Sequence, residues 1–392
     1  MREEETLCNE PFARQDVGPL LERLRMAVER REIDWSLPPE ESLALLGLTH
    51  AALLELDGEP WYGPLEHWLR APHVTDILVN GPSRPIVTVE RGARQHSDIR
   101  AHRGWICFAQ RQLLLRSGAV GEYGFDGWPR HAVLGTADRR LRFSVTRPPA
   151  SPDGPAIALR LLPTSWRTVE GLVLEGMLCR DTADLLTEAI RRGATVLVAG
   201  GTGDGKTTVA AALLQRLGGE RRVVVIEESV ELPELPDSVA IEVLHSGMTF
   251  SECVRFAMRQ RPDLIAVGEV RGEEALALLQ AAATGHPGVG TIHAPDLQTA
   301  LRNLERMASE GGVSPAVARG LIASGSVPLL VAHAGSYGGR RRIGRVEEVL
   351  AQGAGGQSGD RYPTHTLMAY DARADEVRRE GWAQGGWGRG HL

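Results

Sequence analysis

Ala194-Thr-Val-Leu-Val-Ala199, then Gly200-Gly-Thr-Gly-Asp-Gly205-Lys206-Thr207, then a helical run to Leu217: this stretch decides the fold. The apolar run reads as a buried strand, and the segment from Lys206 reads as a helix. Between them stands a full match to the phosphate-binding loop pattern. Its glycines let backbone N–H groups curl around a phosphate, where the helix amino terminus adds its positive end. Gly200, Gly201, Thr202, Gly203, Asp204, Gly205, Lys206, Thr207 and Thr208 are the candidate cradle. Lys206 is expected to reach the β- and γ-phosphates and Thr207 to place its hydroxyl on Mg²⁺. Asp204 puts a carboxylate inside a loop built for anions, so its side chain is expected to point outward.

Three further boxes follow. Arg222-Val-Val-Val-Ile-Glu227-Glu228-Ser-Val-Glu231-Leu ends a strand in carboxylates. Arg259-Gln-Arg261-Pro-Asp263-Leu-Ile-Ala-Val-Gly268-Glu269-Val-Arg271 places Glu269 at the carboxyl end of another buried strand, the edge where open α/β sheets bind ligands. Thr284-Gly285-His286-Pro-Gly-Val-Gly-Thr291-Ile-His293-Ala294 carries one histidine in a loop and one at a strand end. Read singly, the glutamates fit solvated charges and the histidines fit hydrogen-bonded structural groups. In this order after a phosphate loop, they fit a catalytic set.

Around these boxes, strands expected at 194–199, 222–226, 263–267 and 289–293 alternate with helices, which implies a mostly parallel sheet. Upstream, residues 17–46 read as mostly helical, with Leu20, Leu21, Leu24 and Val28 on one face. Strand pairs at 74–80 with 86–91 and at 141–147 with 156–162 indicate an α+β domain. The domain reading is a helical extension over 1–55, an α+β domain over 56–162 and a linker over 163–180. An α/β domain carrying the phosphate-binding loop over 181–351 and a Gly-rich tail over 352–392 complete it.

The 392 residues are 42% hydrophobic and 24% charged, a globular composition, and the net charge of -6 gives no support to direct nucleic-acid binding. The acidic start, Met1-Arg-Glu-Glu-Glu, is unlike a signal peptide, and no apolar run approaches the roughly 20 residues of a membrane-spanning helix. Membrane association is therefore expected through a partner. Cys8, Cys107, Cys179 and Cys253 are too scattered to form a zinc module and read as reduced thiols in a cytoplasmic protein.

The four boxes together resemble the type II/type IV secretion ATPase superfamily, and most closely its Tad (Flp pilus, CpaF-type) branch. That family has a GGTGSGKTT loop, an acidic box, an atypical Walker B segment with RPD and GE-[VI]-RG, and a histidine box. The resemblance extends to Val74-Thr-Asp-Ile-Leu-Val-Asn-Gly81, Val89-Glu-Arg91, Arg142, Pro148-Pro149 and Ala158-Leu-Arg160, and covers roughly residues 60 to 350. It implies an α/β fold, a RecA-like P-loop NTPase domain with an N-terminal α+β (PAS-like) domain. It implies ATP and Mg²⁺ as ligands, nucleotide held between the two domains, a homohexameric ring and an inner-membrane platform protein as partner.

Carried over by position, Lys206 and Thr207 bind phosphate and Mg²⁺, and Glu269 activates or orients water. Glu228, where the family has Asp, takes the Mg²⁺–water role, and His293 senses the γ-phosphate. Thr207, Glu228 and Glu269 form the metal set. Gly268 stands where many P-loop enzymes keep a metal-binding Asp, a departure typical of the family. Arg142 and Arg160 match family arginines, and Arg147, Arg259, Arg261 and Arg271 are further candidates for the cation that phosphoryl transfer needs. Asp138-Arg-Arg-Leu departs from the family's DGS before Arg142. Two other readings stay open at this level: a DNA-transfer motor, and a nucleotide-gated scaffold without turnover, to which Asp204 and Glu228 point.

Overall fold

Alternating apolar and polar residues along a strand bury one face and solvate the other, and the first part of the chain is built on that rule. The computed structural model describes residues 17–48, 52, 55–56, 59–90, 92–117, 130–135, 140–162, 165–228, 231–325, 327–351 and 361–384. Cys8, Asp138 and the glycine runs at 353–359 and 385–390 lie outside the described residues. The chain divides into two compact units, Met1–Thr164 and Ser165–Leu392.

The first unit contains α1 (Gly18–Glu29), α2 (Pro39–Leu45), α3 (Glu66–Leu69), β1 (Val74–Val79), β2 (Pro85–Glu90), β3 (Ala93–Arg100), α4 (Arg103–Ser117), β4 (Arg130–Gly135), β5 (Arg140–Thr146) and β6 (Ala156–Leu161). The helical stretch expected over 17–46 is two helices. Arg31 sits at φ 57°, and Pro38 and Pro39 restart the chain, Pro39 at a position whose N–H a helix does not need. The six strands run in the order β3-β2-β1-β6-β5-β4, with antiparallel neighbours throughout. On β5 and β6, Leu141, Phe143, Leu159 and Leu161 are buried, while Arg142 and Arg160 point to the other face.

Trp35, Trp61, Trp105 and Phe108 stack beneath the sheet; Trp35 and Trp105 meet edge to face, their centroids 4.9 Å apart. Strand β3 escapes the sequence reading because Ala93-Arg-Gln-His-Ser-Asp-Ile-Arg100 is polar and mostly exposed. It is a strand only because β2 offers it an edge to pair with.

The second unit begins inside the expected linker. Thr168 caps a short helix, α5 (Val169–Leu174), by accepting from the Gly171 N–H at 3.1 Å. Val169, Leu172, Met177 and Leu178 enter this unit's core, so residues 169–180 belong to the second unit. Pro163 and the glycines gave the segment a linker composition, while its apolar spacing is that of a packed turn of helix.

There follow α6 (Arg180–Arg191), β7 (Thr195–Gly200), α7 (Lys206–Leu217), β8 (Val223–Glu227), β9 (Ser238–Glu242), α8 (Val243–Ser246), α9 (Phe250–Ala257), β10 (Leu264–Val270) and α10 (Glu274–Ala283). The unit ends with β11 (Gly288–His293), α11 (Leu297–Glu310), α12 (Pro315–Ile322), β12 (Leu329–Tyr337), β13 (Arg340–Val349), β14 (Thr364–Asp371) and β15 (Glu376–Arg379).

The nine strands run β15-β14-β13-β12-β7-β11-β10-β8-β9. From β12 to β9 every neighbour is parallel, and β13 to β15 add an antiparallel flank. All six residues of β7 are buried: Val196 and Val198 face a core with α6 and α7, and Leu197 and Ala199 face one with α9 to α12. A strand covered on both faces must be continuously apolar, which is why 194–199 was legible. The segment expected as a Gly-rich tail carries β14 and β15, anchored by buried Leu367 and Met368. Among the described residues, no helix is long and apolar enough to cross a membrane.

Candidate functional site: a phosphate loop at the carboxyl edge of the sheet

Strands β8, β10, β11 and β7 are parallel neighbours, so the segments that follow them emerge at one edge of the sheet. His293, the last residue of β11, is in register with Gly200, the last residue of β7. Val267 of β10 is in register with Ile226 of β8, which places Glu227 beside Gly268. Boxes scattered over 200–294 in sequence thus become one site.

Lys206 opens α7 and is 7% exposed. Its ammonium donates to Gly201 O at 2.8 Å, and both ring nitrogens of His293 lie 3.4 Å from it. His293 Nε2 is 3.1 Å from Glu269 Oε1. A neutral imidazole with its proton on Nε2 satisfies both partners, donating to Glu269 and accepting from Lys206 through Nδ1. Burial pushes the Lys206 ammonium down from the ordinary lysine value, and the charges of Glu269 and Asp204 oppose that shift. Three residues expected in catalysis or phosphate binding therefore form one chain, Glu269–His293–Lys206.

Asp204 does not point outward. Its Oδ2 accepts from the Gly201 N–H at 2.7 Å, folding the carboxylate back onto its own loop. A free backbone N–H three residues away is a stronger draw for a carboxylate than the sequence pattern suggests.

The acidic box divides by burial. Glu227 is 4% exposed and accepts from Glu231 N at 3.0 Å and Leu232 N at 2.9 Å, so it folds the loop after β8. A Cβ on Gly268 would stand 2.8 Å from Glu227 Cγ and 2.9 Å from its Oε1. Gly268 is glycine because the Glu227 side chain occupies that space, a reason the sequence alone could not supply. Glu228 lies outside and pairs with Arg271 at 2.6 Å. Glu274 shapes the turn after β10, accepting from Arg271 N at 2.6 Å and Gly272 N at 2.8 Å.

Three candidates of the second unit, His286, Arg259 and Arg261, are not brought here. His286 precedes β11 while His293 ends it, so a full strand, at roughly 3.3 Å per residue, separates the two. His286 instead lies 3.3 Å from Thr284 Oγ1. Arg259 and Arg261 precede β10 and belong to the opposite edge of the sheet, whereas Arg271 follows it. In the first unit, Arg147 is tied to α4, donating to Gln110 Oε1 at 2.6 Å and to Cys107 O at 3.3 Å. Arg142 and Arg160 are register partners across β5 and β6, with Asp76 next in the same row on β1.

The structure adds residues that sequence reasoning missed. Arg341 of β13 donates to Gly203 O at 3.0 Å, Asn303 of α11 to His293 O at 3.0 Å, and Thr291 to Gly268 O at 2.7 Å. The run Arg340-Arg-Arg342 after a Gly-Gly turn was a visible signal, but only strand pairing brings it to the loop.

The residues present fit a nucleotide phosphate chain. Gly203 and Gly205 stand at φ 82° and 87°, turning the backbone into a cradle at the amino end of a 12-residue helix. Lys206 supplies the buried cation, and Thr207, Glu228 and Glu269 carry oxygen donors of the kind a hard divalent cation prefers. Glu228 is engaged by Arg271, however, and among the described residues no three acidic, histidine or cysteine side chains are grouped to hold a metal ion.

Residues 131–337 match the family described as "Type II/IV secretion system protein". A putative conjugal transfer protein of Mycobacterium tuberculosis is 31% identical over 334 residues, spanning 80% of this chain and 94% of that protein. Among solved structures, the Legionella pneumophila ATPase DotB aligns with a TM-score of 0.55 and 22% identity, covering 74% of this chain and 79% of that one. The pilus retraction motor PilT with bound ADP aligns with a TM-score of 0.57 and 21% identity, covering 74% and 84%. These two likenesses carry the fold, a RecA-like P-loop architecture with the phosphate-loop strand separated from the Glu269 strand by one neighbour. The phosphate loop, the order of the boxes and the family match agree: this chain belongs to the type II/IV secretion ATPase superfamily.

Proposed function

We propose that this chain is an ATP hydrolase, the motor subunit of a homohexameric ring that powers Tad/Flp-type pilus assembly or type II/IV secretion. The observation that carries the reading is the Glu269–His293–Lys206 chain converging on the phosphate loop. Lys206 and the loop amides orient the phosphates. Glu269 is the general base, placed to take a proton from the attacking water. His293, between carboxylate and ammonium, senses or positions the γ-phosphate and links the base to Lys206. Thr207, Glu228 and Glu269 would hold Mg²⁺, which supplies positive charge to the transferring phosphoryl group. Arg142 and Arg160, side by side on the exposed face of their sheet, are the proposed source of further positive charge.

The first unit is read as PAS-like, because its first and last strands, β1 and β6, are neighbours at the centre of an antiparallel sheet. The protein is placed at the cytoplasmic face of the inner membrane, held there by a platform protein. The name of the mycobacterial relative favours a second reading, a motor serving DNA transfer. Hydrolysis that DNA stimulates, with the stimulation falling steeply as salt rises, would move weight to it.

The test is steady-state ATP hydrolysis across size fractions, beside Glu269→Gln and Lys206→Ala. Activity in a hexamer-sized fraction, lost in both variants, is the expected result. Turnover that survives Lys206→Ala would sink the assignment of the loop. Binding without turnover in every fraction would favour a nucleotide-gated scaffold.

A further inference from the structure

Gly201 is gripped from both sides by residues of its own loop. Its N–H donates to Asp204 Oδ2 at 2.7 Å, and its carbonyl accepts from Lys206 Nζ at 2.8 Å. A third bond, from Arg341 to Gly203 O at 3.0 Å, holds the intervening turn. The carboxylate lies so close that a Cβ added to Gly201 would stand 3.0 Å from its Oδ2. Gly201–Lys206 is therefore a laced loop, with a fixed negative charge among the amides and beside the ammonium that a phosphate must use.

We propose that Asp204 is an internal competitor for the phosphates of the nucleotide, and that it sets how weakly this chain holds its ligand. The proposal rests on the nucleotide-binding reading of the loop given above. Two physical effects carry it. An incoming polyphosphate meets like charge at short range in a partly buried site, where screening is weaker than in water. Lys206 must also exchange Gly201 O for a phosphate oxygen while Asp204 and Glu269 both attract its charge. A neutral side chain at 204 removes the repulsion and leaves the loop's amides and Lys206 in place. Serine suits the position because its hydroxyl still caps the turn without carrying charge.

The experiment is calorimetric titration of ADP with Mg²⁺ into the full chain and into Asp204→Ser, Asp204→Asn and Lys206→Ala. Asparagine keeps the shape and one acceptor oxygen, so it guards against misfolding of the serine variant. Both 204 variants are expected to bind about tenfold or more tighter than the parent, since one charge-assisted contact and one repulsion change together. Lys206→Ala is expected not to bind. Equal or weaker binding by both 204 variants, with the parent binding and Lys206→Ala silent, overturns the competitor while leaving the nucleotide site intact. Absence of binding in the parent and in both 204 variants overturns the loop reading itself, and the competitor with it.

Discussion

The loops that follow β7 and β8 solve the same problem with the same chemical group and reach opposite consequences. Each leaves a buried parallel strand at the carboxyl edge of one sheet, and each is laced by a carboxylate that accepts backbone N–H groups: Asp204 from Gly201, Glu227 from Glu231 and Leu232. Glu227 is buried and fits the space that Gly268 leaves beside it, so its charge is committed to the fold. Asp204 is half-buried and sits in a loop whose amides are proposed to serve an anion, and on that reading its bond stands in a ligand's way. A laced carboxylate is structural where nothing competes for its amides and inhibitory where something does.

The largest break in that comparison is Glu227→Ala. It leaves one buried and one half-buried N–H group without their acceptor, and about 2 kcal/mol of stability or more should be lost in urea unfolding. An unchanged midpoint would mean that the acidic loop is held by something else. Next comes Gly268→Ala, whose Cβ would stand 2.8 Å from Glu227 Cγ. Overpacking there should cost about 2 kcal/mol, and clearly less once Glu227 is already alanine. Strict additivity of the two changes would deny the size match between the residues.

Arg271→Ala should be milder, because the side chains of the Glu228–Arg271 pair are 48% and 54% exposed and such pairs contribute less than about 1 kcal/mol. A fall in hydrolysis far beyond that small change in stability would mark Glu228 as placed for catalysis by Arg271. Hydrolysis at the parent rate would reduce the pair to surface charge.

The smallest effect is on acid stability. His333 of β12 pairs with Tyr337 at 2.7 Å, and burial holds its imidazolium below the ordinary value of 6.5, with Asp204 and Asp296 pulling the other way. Below pH 6.5 the unfolded chain takes up this proton before the folded one does. The contribution of a neutral His333 is therefore present above that pH, and is lost as pH falls toward the depressed folded value. Denaturation midpoints between neutral pH and pH 5 should show a slope that His333→Gln flattens. Asp204→Asn, which removes one opposing carboxylate, should carry the slope to lower pH. A slope indifferent to His333→Gln would assign it to another group.

Much of the second unit was legible because its signals are local. The helix Lys206–Leu217 follows from the loop pattern, and β7, β8, β10 and β11 follow from short apolar runs bounded by glycine, proline or charge. Lys206, Glu269 and His293 were legible as a set because each ends or follows one of those runs. Strands β3, β14 and β15 were not, since polar edge and flank strands owe their state to the neighbour they pair with. The helix Val169–Leu174 hid in a linker-like composition, and its identity lies in what Val169 and Leu172 bury against.

The sequence by itself determined the four boxes, their order and the strand–loop–helix frame of the phosphate loop, because turn chemistry and apolar runs act over a few residues. Only the tertiary structure decided that β8, β10, β11 and β7 lie side by side, and hence that Glu269 reaches His293 and His293 reaches Lys206. It alone decided that Asp204 turns inward, that Gly268 makes room for Glu227, and that Arg341 reaches the loop from a strand beyond. These are matters of register and close packing between segments far apart in the chain. Their outcome depends on which neighbours meet, and no single segment carries that information.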